Sequence, residues 1–573
     1  FQSLAPLVSS MGLLAIMALS AGCREGAVPM PVPERGFVSS QPAGTWEEGL
    51  LSGNGTIGVN VLSRPLDERI IFTHERLFMP MGAPVVPRDQ SDRLPEIRQL
   101  IDQGLYSQAC KLQFDLSGQN GFMYPDFFVP AFDLVIRSEA RGEVRDYARA
   151  VDFQTGEAIV RWSDDRGAFE RRVFVSREDG VAVLQITGPR PGAIDCRLRL
   201  EPRQPSDEFN NDSDILSSSD EMFKEHVADI ESAADELTLR YRNTYTKAYP
   251  GSIHALEGFA RVVAEGGMTE AEADGTLVVK GADRILALVD IRLLDDPSKS
   301  EFGAMAASLA ELPADFDRLL EGHARLHGEL FNRMRLDLGG GADHQQTTEE
   351  LLEASSYESV NRALIEKEFD ASRYNIISST GELPPVLQGV WGGTYVPGWA
   401  SDFTHNGNLP SAIASYLMGN MPELMLSYTS YIESIMPGME INARHLFGAR
   451  GIVLPSRTTT HGYNNAFNAD FAGGMWVGGA GWAAHFFYDY YLYTGDRAFL
   501  ARHALPFMEK ALLFFEDYLY EGPDGRFIFS PTQSPENTPG NSDSQASFNA
   551  TMDVAVAKEL LANTIAASRE LGR

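Results

Sequence analysis

The spacing of apolar residues divides the chain into two parts, which meet near residue 297. In the first part, short apolar or alternating runs recur between Gly, Asp and Pro residues, among them TIGVNVL, FDLVIRS, AIVRW, VAVLQIT and CRLRLEP. Alternation with a period of two is typical of strands, and many short strands without intervening helices favour two packed sheets. We therefore predict a β-sandwich domain over residues 46–296, in which the acidic stretch 206–236 forms an exposed loop with a short helix.

In the second part, apolar residues follow the period of an amphipathic helix. Residues 297–346 predict two linker helices separated at Pro313, and residues 347–573 predict roughly seven helices. The aromatic run HFFYDYYLY has the same spacing, so it indicates core packing rather than a cofactor site. The predicted fold class is a multidomain protein of α and β structure, with a β-sandwich, a helical linker and a helical domain.

Three long polar segments interrupt the predicted helices: a first loop (residues 381–408), a second loop (448–481) and a third loop (530–544). Connections of this length tend to carry function. Trp rings suit the apolar faces of sugars, and Asn and Asp suit their hydroxyl groups, although each aromatic or His residue taken alone also fits a structural role. The candidate side chains are Trp391, Trp399, Asp402, Thr404, His405, Asn406 and Asn408 in the first loop, Arg457, His461, Asn464, Asp470 and Trp476 in the second, and Glu536 in the third.

The charge balance narrows the class of ligand. Acidic residues outnumber basic ones by 79 to 48, which gives a net charge of -31. Such a surface repels phosphate backbones, so we expect no nucleic acid partner and favour a neutral substrate such as a glycan. The chain has no zinc-ligand spacing, no Gly-rich phosphate loop and no G-x-S-x-G motif, so we predict no metal and no cofactor. Cys110 and Cys196 could pair or remain buried and free, and the oligomeric state is open.

The N-terminal residues have the pattern of a targeting segment. Residues 11–22 form an apolar run that is too short to span a bilayer and ends in small residues before Cys23. This pattern is typical of a bacterial lipoprotein signal peptide over residues 1–23, with Cys23 as the site of lipid attachment; a plain secretory signal is the alternative. Both predict export, to the periplasm or the cell surface. Residues 24–45 are rich in Pro and Gly and predict a tether.

Eight motifs occur in an order that resembles glycoside hydrolase family 95. They are WEEGLLSGNGTIGVNVL, THERLF, LPPVLQGVW, SDFTHNGN, GARG, TGDRAFL, SPTQSPEN and TMDVAV. The resemblance implies a β-sandwich, a helical linker and an (α/α)6 barrel, here over residues 347–573. It also implies inverting hydrolysis of terminal α-L-fucosyl or α-L-galactosyl residues.

The resemblance assigns roles to residues of the loops. Glu536 matches the general acid, and Asn406 and Asn408 match the pair that holds the attacking water. An inverting glycosidase needs a carboxyl that protonates the leaving oxygen and a water activated on the opposite face. We expect Pro535 to aim Glu536 and an enclosed barrel mouth to keep it protonated. Thr404 matches a position beside the carbon that is a methyl in fucose and a hydroxymethyl in galactose. The residues expected to contact the substrate are Trp391, Trp399, Thr404, His405, His461 and Trp476.

Departures from the family pattern leave the substrate and the reaction open. Gly407 replaces an Ile, PSAIASY stands in place of M-N-Y-W, and LPSRTTTHGYNN replaces an H-N-T-D stretch. One alternative is a glycoside phosphorylase, which would need basic and hydroxyl residues beside Glu536. Another is a non-catalytic glycan-binding surface lipoprotein. Asn406 and Asn408 could also merely cap the helix that begins near residue 409.

The C-terminal part raises an expectation about the general base. An (α/α)6 barrel has twelve helices, whereas residues 347–573 predict roughly seven. The family's catalytic Asp lies in a segment without a counterpart here, and Asp553 is a poor substitute because its surroundings predict a packed helix. We therefore expect a truncated fragment that aggregates and lacks glycosidase activity. An active 573-residue product would instead require a base such as Asp402 or Asp470.

Overall fold

Two antiparallel sheets form the N-terminal half of the protein in the computed structural model, which describes residues 30–204 and 219–573. The strands of this half are, in chain order, β1 (Gly36–Ser39), β2 (Leu50–Gly53), β3 (Ile57–Val61), β4 (Asp67–His74), β5 (Phe78–Met79), β6 (Phe127–Phe128), β7 (Phe132–Arg137), β8 (Arg145–Asp152), β9 (Glu157–Asp164), β10 (Gly167–Val175), β11 (Ala182–Thr187), β12 (Ile194–Glu201), β13 (Val227–Ala234), β14 (Thr238–Tyr245), β15 (Ala255–Glu265), β16 (Met268–Ala271), β17 (Leu277–Ala282) and β18 (Arg284–Leu294). One sheet has the order β1-β8-β9-β10-β11-β18-β15-β14-β13, and the other has the order β16-β17-β12-β7-β4-β3-β2. A separate two-stranded sheet pairs β5 with β6.

The burial of the strands explains why the sheets pack face to face. In β12 and β14 every second residue is buried, as expected of strands with one face on the core. All five residues of β3 are buried, because the first loop covers its other face: a Cβ at Gly58 would lie 2.4 Å from the backbone oxygen of Val390. Apolar residues from both sheets belong to one continuous core. The predicted sandwich is confirmed.

Two features of this half differ from the sequence prediction. Residues of β1 were assigned to the tether, but they pair with β8, from Gly36 opposite Asp152 to Ser39 opposite Arg149. Helices α1 (Leu94–Asp102) and α2 (Tyr106–Ser117) lie within the range predicted to have strands without helices. Their apolar faces pack on the second loop and on Ala546, just after the third loop, and this long-range contact was not visible in the local pattern.

The acidic stretch predicted as a loop with a short helix is described only in part. Residues 205–218 lie outside the described residues. Helix α3 (Ser219–His226) supplies the short helix, and β13 follows it directly as an edge strand. The edge strand was not predicted, because only two of its eight residues, Val227 and Ile230, are large and apolar.

The linker and the helical domain follow the predicted period. The linker helices are α4 (Phe302–Glu311) and α5 (Phe316–Phe331), and Pro313 lies between them as predicted. The side chain of Asp315 caps α5 by accepting a hydrogen bond from the Arg318 backbone N–H at 3.2 Å. The helices that follow are α6 (Thr348–Glu353), α7 (Arg362–Ser379), α8 (Asn408–Ile413), α9 (Ser415–Met418), α10 (Pro422–Ser434), α11 (Met436–Phe447), α12 (Gly479–Thr494), α13 (Arg497–Phe499), α14 (Leu505–Tyr518) and α15 (Thr551–Glu570).

Helix α12 carries the aromatic run and packs against α10, α14 and α15. Phe486, Phe487 and Tyr488 are buried, and the Phe487 ring stacks on Phe507 of α14 with 4.4 Å between the centroids. The prediction of core packing for this run is confirmed. Because aromatic rings bury large areas, these contacts contribute strongly to the stability of the helical array.

The two domains share buried hydrogen bonds as well as the apolar core. The Tyr374 hydroxyl of α7 donates to the Leu51 backbone oxygen at 2.8 Å. The Trp391 indole N–H of the first loop donates to the Ser52 backbone oxygen at 2.9 Å. The sandwich therefore supports the start of the first loop directly.

Several predictions concern the termini and the cysteines. The predicted signal peptide and Cys23 lie outside the described residues. Within residues 30–204 and 219–573, no helix has the length and apolar character needed to cross a membrane. Cys110 and Cys196 are both buried and unpaired, which decides between the two possibilities that the sequence left open.

Candidate active site

Short strands join the three long loops and the turn after α14. They are β19 (Phe403–Thr404), β20 (Arg457–Thr458), β21 (Tyr520–Glu521), β22 (Phe527–Ile528), β23 (Thr532–Gln533) and β24 (Ala546–Ser547). The pairing of β19 with β20 places Thr404 of the first loop opposite Arg457 of the second. The pairing of β23 with β24 closes the third loop on itself. The first and second loops therefore meet in space.

Glu536 lies at the tip of a turn in the third loop, where the Asn537 N–H donates to the Ser534 oxygen at 2.7 Å. The Asn406 amide of the first loop donates to Glu536 Oε1 at 3.0 Å. The Glu536 side chain is exposed, so the enclosed barrel mouth expected around it is not present among the described residues. Glu536 is exposed because its neighbours on both sides belong to the same surface turn.

Asn408 is the first residue of α8, and Gly407 occupies the cap position without any side-chain capping bond. The alternative that the two Asn side chains serve as helix caps therefore does not apply here. Asn408 is exposed and lines a cavity of about 500 Å³, the larger cavity, together with Asp402 and Thr404. A cavity of this size is in the range of small-ligand sites.

Asp402 is fully buried beneath Thr404, and both of its oxygens are engaged. Oδ1 accepts from the Thr404 hydroxyl at 2.6 Å, and Oδ2 accepts from Arg457 Nε at 2.5 Å. Burial raises the pKa of Asp402, and the Arg457 guanidinium opposes this shift. Because the Thr404 hydroxyl donates its hydrogen bond to Asp402, the lone pairs of the Thr404 oxygen remain available to accept a hydrogen bond from a ligand hydroxyl. Asp402 is thus suited to position Thr404 and poorly suited to be a general base.

Three consecutive residues before Asp402 have left-handed backbone angles: φ is 51° at Trp399, 58° at Ala400 and 48° at Ser401. Each such residue costs on the order of 1–3 kcal/mol. Arg457 stabilises the turn by donating to the Trp399 backbone oxygen at 2.5 Å. The Trp399 side chain is 53% exposed. A strained turn that keeps an indole exposed fits a platform for an apolar sugar face.

The two other tryptophans do not offer a face to a ligand. Trp391 is buried in the contact with the sandwich, and Trp476 is fully buried in the core of the helical domain. Both were predicted to contact the substrate, and the structure corrects this: their large apolar rings are used for packing. No hydrogen-bond partner for the Trp476 indole N–H is found among the described residues.

The two histidines of the prediction differ in position. His405 is buried, its ring is stacked on Tyr431 at 5.9 Å, and burial lowers its pKa to about 3. It therefore lies behind the site as a neutral core residue, not as a contact. His461 is half-buried, packs on Tyr463 at 5.1 Å and lines a second, smaller cavity of about 80 Å³.

The remaining carboxylates do not replace a general base. Asp553 lies in the first turn of α15 and is fully buried, and this burial raises its pKa well above the ordinary value. The expectation of a packed helix around it is confirmed. Asp470 is exposed, and its backbone N–H donates to Asn468 Oδ1 at 3.1 Å. Within the described parts of the chain, no group of His, Cys, Asp and Glu residues has the arrangement of a metal site.

Several residues that shape the site were missed by sequence reasoning. Asn442 of α11 donates to the oxygens of Val453 and Gly462 at 2.9 and 2.7 Å, and it accepts from the Asn464 N–H at 2.8 Å. It thereby fixes the second loop. Gly462 lies so close to the junction between α10 and α11 that a Cβ would be 2.1 Å from the Ile435 oxygen. A polar residue within an apolar helical stripe was the available signal for Asn442.

The sandwich domain also supplies two side chains that were missed. The rings of Phe122 and Tyr124 lie 5.2 Å from the Arg457 guanidinium carbon. No sequence signal links this segment to the second loop. Arg457 therefore connects the first loop, the second loop and the sandwich domain.

Comparisons with known proteins agree with this architecture. Residues 315–573 match the model of the glycosyl hydrolase family 95 catalytic domain, and residues 37–293 match that of the glycosyl hydrolase family 65 N-terminal domain. The second match begins within β1, in line with the corrected boundary. A putative kojibiose phosphorylase from the human microbiome has a similar fold, with a TM-score of 0.55 and 10% identity over 88% of this chain and 63% of that one.

Curated relatives are named as fucosidases. The chain is 24% identical to α-L-fucosidase 2 of Arabidopsis thaliana over 558 residues, which cover 93% of this chain and 65% of the relative. It is 30% identical to probable α-fucosidase A of Aspergillus niger over 240 residues, which cover 39% and 29%. The chain thus spans less than two thirds of the length of these relatives.

The β-sandwich, the helical linker and the (α/α)6-type helical domain form the multidomain fold that the chain shares with the kojibiose phosphorylase neighbour, and residues 315–573 carry the match to a glycosyl hydrolase catalytic domain. Residues 315–573 belong to the catalytic-domain family of glycoside hydrolase family 95.

Proposed function

We propose that the protein hydrolyses terminal α-L-fucosyl or α-L-galactosyl residues of glycans with inversion, and that Glu536 is the general acid. The observation that carries this proposal is the 3.0 Å hydrogen bond between Asn406 and Glu536, which joins the first and third loops. An amide can donate to a carboxylate and can also accept from a carboxylic acid. The same pair can therefore hold Glu536 before and after it delivers its proton.

The larger cavity is the proposed site of the cleaved sugar. It has room for a monosaccharide, and it combines Thr404 and Asn408 with an apolar wall from the first loop. The exposed Trp399 ring is proposed as a stacking surface near this cavity. In an inverting reaction, water attacks the face opposite the acid, so we propose that Asn408 helps to orient this water.

The phosphorylase alternative receives less support. A phosphate site would need an unpaired cation beside the acid. Arg457, the basic residue that links the loops, is already paired with Asp402, and their side chains are 10% and 0% exposed. The fold of the kojibiose phosphorylase neighbour is shared by both classes and does not favour either.

The decisive test replaces Glu536 with Gln. We expect Glu536→Gln to reduce hydrolysis of natural fucosides or L-galactosides by about 10²–10⁴-fold, because general-acid help is lost. An aryl glycoside with an acidic phenol as leaving group should be partly spared, since it needs little protonation. Glu521→Gln, at another exposed glutamate, is the matched control and should change neither rate.

The assay should be run with and without inorganic phosphate, and glycan binding should be measured alongside. Equal losses on natural and aryl substrates would contradict the role of Glu536. Turnover that requires phosphate would favour the phosphorylase, and binding without any turnover would favour the non-catalytic alternative.

We further propose that the protein is exported as a lipoprotein acylated at Cys23, on the basis of the apolar run before it. Metabolic labelling with palmitate in a bacterial host tests this proposal. The label should be lost in Cys23→Ala, and labelling that persists in this variant would contradict it.

A further inference from the structure

Three residues with small or no side chains form one wall of the larger cavity, at the start of α8. They are Gly407, Ser411 and Ala412. The Ser411 backbone N–H donates to the Gly407 oxygen at 3.0 Å, which closes the first helical turn. Residues four positions apart lie on the same face of such a turn. Gly407 and Ser411 are therefore neighbours on this wall, and together they leave most of the space in front of it unfilled.

Gly407 leaves the most space. A Cβ at this position would have no heavy atom of the described residues within 4 Å, apart from its own chain neighbours. Its φ of 174° lies outside the left-handed region that favours glycine. In the family pattern an Ile stands at this position, so a whole branched side chain is missing here. The glycine therefore widens the cavity, and its φ gives no other reason for it.

The cavity is larger than one unsubstituted sugar needs. Its volume of about 500 Å³ corresponds to about 17 water molecules. A terminal deoxyhexose has about ten non-hydrogen atoms, and it displaces about as many waters. A substantial part of the volume therefore remains for a further group on the same sugar.

The lining determines which chemical group suits the remaining space. Leu387 and Leu409 supply apolar surface, and Ser411 supplies an exposed hydroxyl. No Lys or Arg is among the described residues that line the cavity, and the carboxylate of Asp402 is already paired with Arg457. A charged substituent would lack a partner, and a polyhydroxylated one would lose hydrogen bonds against the apolar surface. A neutral group with one acceptor and an apolar end satisfies both conditions.

We propose that the larger cavity recognises a terminal sugar that carries a neutral O-acyl group, such as an O-acetylated α-L-fucosyl or α-L-galactosyl residue. The acyl carbonyl accepts a hydrogen bond from the Ser411 hydroxyl, and the methyl group fills the space in front of Gly407. Gly407 is thus the residue that admits the substituent. This inference rests on the proposed function in one respect, that the larger cavity holds the terminal sugar, and it does not depend on which carboxyl delivers the proton.

Titration calorimetry with substituted and unsubstituted ligands tests this proposal. The probes are methyl α-L-fucoside and its three mono-O-acetyl derivatives, with the L-galactoside counterparts run in parallel. We expect at least one acetylated isomer to bind at least tenfold more tightly than the unsubstituted glycoside. Binding is the readout, so the result is independent of turnover.

Three variants make the comparison specific. Gly407→Val fills the open space and should weaken the acetylated ligand at least tenfold more than the unsubstituted one. Ser411→Ala removes the donor and should reduce the preference by about fivefold. Gly303→Val is the matched control, because Gly303 of α4 also has open space around its Cβ position and lies outside the cavity; it should leave the preference intact. Should Gly407→Val fail to fold in a thermal melt, Gly407→Ala tests the same space with a smaller side chain.

The outcomes separate this inference from the proposed function. A preference that survives in Gly407→Val, an equal loss for both ligands, an equal loss in Gly303→Val, or no preference for any acetylated isomer would overturn the acyl site, while binding of methyl α-L-fucoside would leave the proposed function in place. Absence of binding for every ligand would overturn the proposed function itself.

Discussion

Asp402 of the first loop and Glu536 of the third loop are held in opposite ways. Asp402 is fully buried, and two side chains engage its two oxygens. Glu536 is exposed and receives one hydrogen bond, from Asn406. A buried carboxylate with both oxygens engaged fixes the geometry of its neighbours, whereas a solvent-accessible carboxylate with a single partner can exchange a proton with a substrate. The difference separates the residue that builds the site from the residue proposed to react.

The largest expected effect comes from removing the buried partner. Asp402→Ala leaves the Arg457 guanidinium nearly buried without a counter-charge, which typically costs about 3–5 kcal/mol. We expect this loss in the free energy of unfolding of the helical domain, measured by chemical denaturation. Glu536→Gln should change the same quantity by less than about 0.5 kcal/mol, because the side chain is exposed.

A double variant sharpens this prediction. Asp402→Ala with Arg457→Met removes both charges and should recover part of the lost stability. Equal stability of the Asp402 and Glu536 single variants would mean that burial does not distinguish the two carboxylates.

Variants of Asn406 and Asn408 test whether the exposed residues around Glu536 take part in the reaction. Asn406→Ala removes the bond to Glu536, and Asn408→Ala removes the proposed water ligand. We expect each to lower turnover by about 10²-fold with little change in substrate affinity, since the lost interactions matter most in the transition state. No side-chain cap is lost in either variant, so thermal stability should be nearly unchanged. A large drop in melting temperature with nearly normal turnover would contradict this assignment.

The burial of His405 also predicts that the stability of the fold depends on pH. The folded state lowers the pKa of His405 to about 3, below its ordinary value of 6.5, so between these values the unfolded chain binds more protons. Stability should therefore be unaffected by this group above pH 6.5 and should fall as the pH drops below it, by about 1.4 kcal/mol per pH unit.

His405→Phe keeps a ring against Tyr431 without a titrating group. Denaturation midpoints at pH 7 and pH 5 should therefore differ less in this variant than in the parent protein. His344→Phe, at a partly exposed histidine of another domain segment, is a control that should retain the parent's acid sensitivity from His405. An unchanged pH dependence in His405→Phe would show that other groups control acid sensitivity.

The smallest expected effect concerns the choice of sugar. The Thr404 hydroxyl, held by Asp402, can accept a hydrogen bond from a hydroxymethyl group, and its small size leaves room for that group. Thr404→His should move the ratio of kcat/KM for L-galactosides to that for L-fucosides toward fucosides by roughly tenfold. Thr404→Ser, which retains the hydroxyl, should leave the ratio near that of the parent. A ratio that does not respond to Thr404→His would remove this residue from sugar selection.

The sequence by itself determined most of the regular elements and the chemical character of the loops. Alternation in β12 and the helical spacing in α12 gave the correct structure, because both patterns arise from burying one face of a regular element. The three long loops were also recognisable, since their polar, turn-rich composition excludes a helical interior. Local composition was sufficient for these features.

The tertiary structure alone decided which loop residues are buried and which are exposed. Asp402 and Arg457 are 55 positions apart, and Asn406 and Glu536 are 130 apart. Trp391, Trp399 and Trp476 have similar local surroundings in the sequence, yet only the Trp399 ring is exposed. Periodicity reports on neighbours within a few residues, whereas burial and charge pairing in these loops depend on segments that meet only after the sandwich and the helices have packed.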